Sequence, residues 1–221
     1  ELLSRSTFIV PKSIKNGSID DAQFLIMDYI EQGSELDWAV FGKKLAQLHL
    51  IEGKFFGLDH DNYIGSLEQI NKECGAWSEF YTDHRLLKLT AKARDKGFFE
   101  KKHCIWVEKL CQRLDELIPA CRPSLIHGDL WSGNLLIHTS GHPALIDPAV
   151  YYGHPEMDWA MLSLFGRYPE EAMDYYLNLY PLEKGLNERK DIHQLYPLLV
   201  HLILFGSGYL SGIESTLKKY A

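Results

Sequence analysis

Three oxygen-bearing side chains stand at spacings that could do chemistry together. Asp129 lies in a His-Gly-Asp tripeptide, Asn134 follows five residues on, and Asp147 follows thirteen after that. Between the last two, residues 134–138 (NLLIH) and 143–146 (PALI) read as short apolar strands joined by TSGH. Glycine at such a tip predicts a β-hairpin. A hairpin returns Asp147 beside Asn134, so two hard oxygen donors face one point, which suits Mg²⁺. Asp129 then stands close by as a carboxylate able to accept or orient a hydroxyl proton. Phosphoryl transfer asks for this set, because it depends on positioning and charge neutralisation more than on covalent chemistry by the protein. Taken singly, each residue has an ordinary use: Asp129 caps a turn, Asn134 takes left-handed backbone, Asp147 ends a strand. Three roles in order, with a fixed topology between them, argue for chemistry.

The elements that must position these groups are legible in outline. Asp129 to Asn134 matches the D-x-x-x-x-N of a kinase catalytic loop, and 124–126 (SLI) reads as a short buried strand leading into it. Upstream, 24–30 (FLIMDYI) is an almost continuous apolar strand followed by polar EQGSE and a helix. That order suits a hinge. The backbone C=O of Asp28 and N–H of Ile30 would meet an adenine edge, with Met27 lining the pocket behind. Residues 7–11 form a β-branched run stopped by proline, and KNGS at 15–18 predicts a turn that makes 7–11 and 24–30 a hairpin or a close pair. Apolar residues at helical spacing predict helices over 36–49, 77–96 (ended by Gly97), 100–117, 158–166, 170–179 and 188–205. Residues 52–75, rich in Gly, Asp and Asn, read as a long loop, which is usually functional or disordered.

Composition sets bounds on all of this. The chain has 221 residues, 46% apolar and 24% charged, which excludes a disordered or fibrous protein. A net charge of −7 disfavours a nucleic-acid partner. No apolar run approaches the ~18 residues of a membrane span. The cysteines at 74, 104, 111 and 121 form no CxxC pair and read as reduced thiols of a cytoplasmic protein. Asn16-Gly17-Ser18 matches a glycosylation acceptor, but a turn is the better reading.

With these residues in view, the chain resembles the fructosamine kinase (ketosamine 3-kinase) family, grouped with the aminoglycoside and choline kinases in the protein-kinase-like fold. The likeness is carried by FLIMDYI at 24–30, FGLDHDNYIG at 56–65, Trp77, Phe80 and Arg85, LIHGDLWSGN at 125–134, IDPAVYYGHPEMDWAM at 146–161, and the tail patterns QLYPLL and FGSGY. It implies an α+β fold: a mainly helical C-terminal lobe (31–221) with a central hairpin, preceded by the last strands of an N-terminal lobe (1–30). It implies ATP-dependent, Mg²⁺-dependent phosphorylation of a ketoamine sugar hydroxyl, at the 3-position, in the repair of glycation adducts. Asp129 would be the base, Asn134 and Asp147 the metal ligands, and Met27, Asp28 and Ile30 the nucleotide contacts. Trp131 and Ser132 would face the sugar, with Trp77 and Arg85 as fainter substrate candidates. His127 and Asp158 would support the loop. Glu156 could meet a cationic amine or pair with an arginine.

Such an enzyme needs a phosphate-covering loop and a strand lysine paired with a helix glutamate, and neither is legible here. The expectation is that most of an N-terminal lobe is lacking and that the chain by itself transfers phosphate poorly. Three other readings share part of the pattern. An aminoglycoside or choline kinase would use the same Asp129, Asn134 and Asp147. A two-metal phosphoesterase needs a series of His and Asp ligands that the ten histidines do not form. A non-catalytic nucleotide-binding module would lack the metal ligands.

Overall fold

The computed structural model describes residues 2–220. It orders the chain as β1 (Ser13–Ile19), β2 (Ala22–Met27), α1 (Trp38–His49), β3 (Asn62–Ile64), β4 (Leu67–Gln69), α2 (Trp77–Tyr81), a π-helical turn (Thr82–Leu86), α3 (Leu87–Asp95), α4 (Lys101–Cys111), α5 (Leu114–Leu117), β5 (Ser124–Ile126), β6 (Leu135–Ile137), β7 (Pro143–Leu145), β8 (Tyr151–Gly153), α6 (Glu156–Leu162), α7 (Glu170–Leu177), α8 (Leu186–Phe205) and α9 (Leu210–Tyr220). The strands form four antiparallel pairs, β1–β2, β3–β4, β5–β8 and β6–β7. No described helix is long and apolar enough to cross a membrane.

α1 shows how sequence becomes packing. Asp37 caps it, its carboxylate accepting from the Val40 amide at 2.9 Å, as short polar residues do at helix starts. Phe41, Leu45 and Leu48 fall on one face and are fully buried. Gly42 on that face lets α7 approach closely: a Cβ there would sit 2.0 Å from the Ala172 carbonyl oxygen. One core gathers α1, α7, Leu125, Leu145 and Trp159. A second, larger core gathers α2 to α4, Ile126, Tyr151, α8 and α9. β5 sits on the seam, with Leu125 in one core and Ile126 in the other, because successive strand residues face opposite ways.

Several expectations are corrected. The hairpin turn falls at Asp20–Asp21, not at KNGS: Asn16 and Gly17 lie inside β1, paired with Leu25 and Phe24. Asp20 takes φ 50°, a left-handed position that Asp tolerates. Residues 7–11 do not pair with 24–30. Ile9 instead bridges in parallel to Ala144, its N–H donating to the Pro143 carbonyl at 3.4 Å and its carbonyl accepting from Leu145 at 2.9 Å. Residues 52–75 are not structureless; they carry β3 and β4. The 100–117 helix breaks into α4 and α5. The helix at 77–96 contains the π turn, whose extra residue rotates the side chains that follow.

The four cysteines are free. Burial pushes the Cys111 thiol up to about 11 and the Cys121 thiol up to about 12, which leaves both protonated and unreactive at neutral pH.

Candidate active site

β6 and β7 form the expected hairpin, with Leu135 opposite Leu145 and Ile137 opposite Pro143. The Ile146 N–H donates to the Asn134 carbonyl at 3.1 Å, which sets Asp147 one residue beyond the point where the two strands meet. The Asn134 side-chain amide donates to the backbone oxygen of Asp129 at 2.9 Å, to its Oδ2 at 3.2 Å and to the Asp147 backbone oxygen at 3.4 Å. One side chain thus ties together the loop, the acid and the far strand. Its Nδ2 is spent on the protein, so its Oδ1 is the atom left to accept or to ligate. Asp147 is exposed, adopts φ 48°, and its carboxylate has no partner among the described residues. Two unspent hard oxygens on neighbouring residues fit a divalent cation of the Mg²⁺ type.

Burial lifts the Asp129 carboxyl to about 6. The Asn134 hydrogen bond pulls against that rise, and the charges of Asp158 and Asp147 add to it. At neutral pH the group is ionised yet close enough to its midpoint to take a proton.

The loop is held from beneath. Asp158, fully buried on α6, accepts from the His127 N–H (2.8 Å), the Gly128 N–H (2.9 Å) and His49 Nε2 (3.2 Å). Burial alone would raise its carboxyl; the bonds and charges of His49 and His127 outweigh that and hold it below the usual range. His127 is fully buried, and desolvation lowers its pKa against the pull of Asp158, so the ring is neutral. Nε2 donates to the Ile146 carbonyl (3.0 Å) and Nδ1 accepts from the Asp129 N–H (3.3 Å). A ring with both nitrogens engaged shapes the loop. Gly128 takes φ 81°, and a Cβ on it would meet the Ala149 carbonyl oxygen at 2.2 Å. Gly128→Ala is expected to destabilise the protein by about 2–3 kcal/mol, from the left-handed backbone together with the clash. Thermal unfolding checks this, and a Tm within one degree of wild type refutes it.

The other sequence-predicted residues divide. Trp131 and Ser132 are exposed beside Asp129, Ser132 on the wall of a cavity of about 580 Å³ shared with Trp38 and Leu135. Trp131 meets Phe165 edge-on at 6.3 Å, and Phe165 meets His201 at 4.9 Å. This aromatic continuation was missed, because 165 and 201 reach the loop only through the tertiary fold. Met27 is partly exposed at the end of β2. Asp28 donates its N–H to the Lys12 carbonyl at 3.0 Å, and its backbone C=O and the Ile30 N–H have no backbone partner among the described residues.

Trp77 and Arg85 are corrected: both side chains pack into the core and not on an open surface. Trp77 is 5% exposed and stacks on Tyr81 at 5.1 Å. Arg85 is fully buried, 4.2 Å above the Tyr151 ring, donating to the Ile70 carbonyl and Asn71. Glu156 pairs with Arg189 (3.0 Å) and His193 (3.2 Å), so its charge is met within the protein. His154, Glu156 and His193 lie close enough to hold a metal, but the Arg189 guanidinium already occupies both Glu156 oxygens.

A mixed fold with a carboxylate loop closed by Asn134 and an acid-bearing hairpin defines a kinase-like phosphotransferase. A solved structure of a gentamicin–APH(2″)-IIa complex shares the fold, with a TM-score of 0.56 at 18% identity over 98% of this chain and 74% of that one. The family model for fructosamine kinase matches residues 1–221. A probable ketoamine kinase of Synechocystis sp. is 37% identical over 99% of this chain and 74% of its own length. The chloroplastic protein-ribulosamine 3-kinase of rice (Oryza sativa subsp. japonica) is 38% identical over 96% and 63%. A solved fructosamine-3-kinase candidate from Thermobifida fusca superposes with a TM-score of 0.88 at 37% identity, over 98% and 75%. The chain belongs to the fructosamine kinase family and is a phosphotransferase acting on a hydroxyl group. These matches span the whole chain and do not confirm the expected loss of most of an N-terminal lobe.

Proposed function

We propose that the protein transfers the γ-phosphoryl group of ATP to a sugar hydroxyl of a ketoamine, the 3-hydroxyl of a fructosamine or ribulosamine. The observation that carries this is the orientation of Asn134: its NH₂ is spent on Asp129 and on the Asp147 backbone oxygen, which leaves its Oδ1 and the unpaired Asp147 carboxylate as the oxygens unspent on two residues held together. Those two oxygens would hold Mg²⁺, which supplies charge neutralisation at the nucleotide phosphates. Asp129 accepts the proton of the attacking hydroxyl as the new P–O bond forms and ADP leaves. The free C=O of Asp28 and N–H of Ile30 read the adenine edge, with Met27 against its face. Trp131 offers its ring to the sugar and Ser132 a hydroxyl. The part before the hinge (1–30) carries the strands β1 and β2 that lead to it, and 31–221 serves as the catalytic lobe. The relatives named ketoamine kinase and protein-ribulosamine 3-kinase support the substrate class, and repair of early glycation adducts follows as the role.

The test is ATP consumption with fructose-lysine, ribulose-lysine, choline and kanamycin as acceptors. Turnover is expected on a ketoamine and not on choline or kanamycin. EDTA should abolish it. Asn134→Ala and Asp147→Ala should each lower kcat at fixed Mg²⁺ by at least about a hundredfold, since a bound metal is worth several kcal/mol at the transition state. Turnover confined to kanamycin or choline would keep the metal site and discard the ketoamine.

A further inference from the structure

The two backbone carbonyls beyond Asp147-Pro148 end a chain of largely buried side chains that the catalytic roles above leave unexplained. Asn62 and Gln69 are register partners in the β3–β4 hairpin, so their side chains leave it on one face. Gln69 Nε2 donates to the Ala149 carbonyl at 3.1 Å and to Asn62 Oδ1 at 2.7 Å. Its Oε1 accepts from the Tyr196 hydroxyl at 2.7 Å. Asn62 Nδ2 donates to the Val150 carbonyl at 2.8 Å. Asn62 Oδ1 also accepts from Asn71 Nδ2 at 2.8 Å, and Asn71 Oδ1 accepts from Arg85 Nη2 at 2.8 Å. A guanidinium can only donate and a backbone carbonyl can only accept, so the two ends allow one orientation for all three amides. Every hydrogen along the chain points toward residues 149–150, and aligned bonds of this kind polarise one another. Gln69, Asn71, Arg85 and Tyr196 are each no more than 3% exposed.

We propose that Arg85, Asn71, Asn62, Gln69 and Tyr196 form a positioning brace for Asp147, acting through the carbonyls of Ala149 and Val150. Asp147 needs one. Its φ of 48° is left-handed backbone, which Asp adopts more readily than most residues but still at a cost, and the surroundings must hold it there. Pro148 narrows its freedom further. On one side the Ala149 N–H is held by the His127 carbonyl at 3.0 Å. On the other side the brace holds the Ala149 and Val150 carbonyls. The peptide just past the exposed carboxylate is thereby pinned between the catalytic loop and the β3–β4 hairpin, and Asp147 itself is held by its backbone oxygen to Asn134. This gives the 52–75 segment and Arg85 a part in the reaction without contact with substrate, and it rests on the reading of Asn134 and Asp147 as metal holders.

The test measures Mn²⁺ affinity by water-proton relaxation in the whole protein, with the non-hydrolysable β,γ-imido analogue of ATP present. Gln69→Leu removes both amide functions at similar volume, and Tyr196→Phe removes a single hydroxyl while keeping the ring under Arg85. A loss of about tenfold in Mn²⁺ affinity is expected for Gln69→Leu, at the low end of what removing partners behind metal ligands costs, and about threefold for Tyr196→Phe, the worth of one ordinary hydrogen bond. The Mg²⁺ needed for half-maximal rate should rise in parallel, with KM for the ketoamine within about twofold of wild type. Should Gln69→Leu fail to fold, Tyr196→Phe and Asn62→Ser carry the test. Folded variants with unchanged Mn²⁺ affinity, or with a changed ketoamine KM alone, overturn the brace. A wild type that binds Mn²⁺ and nucleotide but phosphorylates no ketoamine ends the substrate reading alone, and the brace is then decided by the Mn²⁺ titrations. A wild type that binds no Mn²⁺ with the nucleotide overturns both.

Discussion

Asp129→Asn is expected to lower kcat for the ketoamine about a thousandfold, within the 10²–10⁴ that a positioned general base contributes. The substitution keeps size and shape, and an amide oxygen at the same place can still accept from Asn134, which now donates to Oδ2 at 3.2 Å. Only the ability to take a proton is lost. ATP affinity should therefore stay within about twofold, because the proposed base acts on the acceptor hydroxyl and not on the nucleotide. The wild-type pH profile should follow the carboxyl, which sits near 6: kcat/KM level above that value and falling tenfold per unit below it. Stability should move the opposite way. A carboxyl whose folded-state pKa is raised favours the folded protein at low pH, and that contribution is lost as pH rises from about 3.9 through 6. Without metal, Asp129→Asn should thus be more stable than wild type at pH 7, by about 3 kcal/mol, and equal to it near pH 3. A variant that is inactive and also less stable at pH 7 would point to a structural role for Asp129.

Asp158→Ala should give the largest loss of stability of any single polar substitution in the site. The carboxylate answers two backbone N–H groups, of His127 and Gly128, and the buried His49 ring. Removing it leaves all three without an acceptor in a dry interior. Breaking a buried charged network in this way costs about 3–5 kcal/mol, or roughly 10 °C in Tm for a chain of this size. The pH dependence identifies the cause. Asp158 has its carboxyl held below the usual range in the folded state, so its contribution is present above the unfolded value of about 3.9 and lost as pH falls below it. Asp158→Asn should flatten that part of the acid-unfolding curve. An Asp158→Ala protein with wild-type Tm and wild-type turnover would remove Asp158 from the support of the loop.

The site was readable from sequence where its geometry is local. Asp129 and Asn134 lie within one loop, and Asp147 lies at the end of the next hairpin. Spacing and a glycine-bearing tip sufficed to bring them together, because a two-stranded antiparallel pair leaves little choice of register. The helices were readable for a similar reason: apolar residues at 3.6-residue spacing must all face one way. What failed were judgements about which neighbour a segment would meet. Asn-Gly at 16–17 is a good turn signal, yet it lies within β1, because Asp20–Asp21 closes the hairpin and the wider pairing carries Gly17 opposite Phe24. Ile9 joins β7 from more than 130 residues away, a pairing no local window can see. Trp77 and Arg85 could have faced solvent or core. The π turn Thr82–Leu86 and the packing of α8 decided for the core, since burial of a helix face depends on what lies across from it. Residues 52–75 looked empty of structure because their polar side chains carry no hydrophobic period. Those side chains, Asn62, Gln69 and Asn71 among them, are satisfied by Arg85, Tyr196 and the carbonyls beside Asp147. By itself the sequence determined the candidate groups and their order along the chain. The aim of those groups was decided by tertiary structure alone, because hydrogen bonds between residues far apart in the chain exist only after the two cores have brought their elements together.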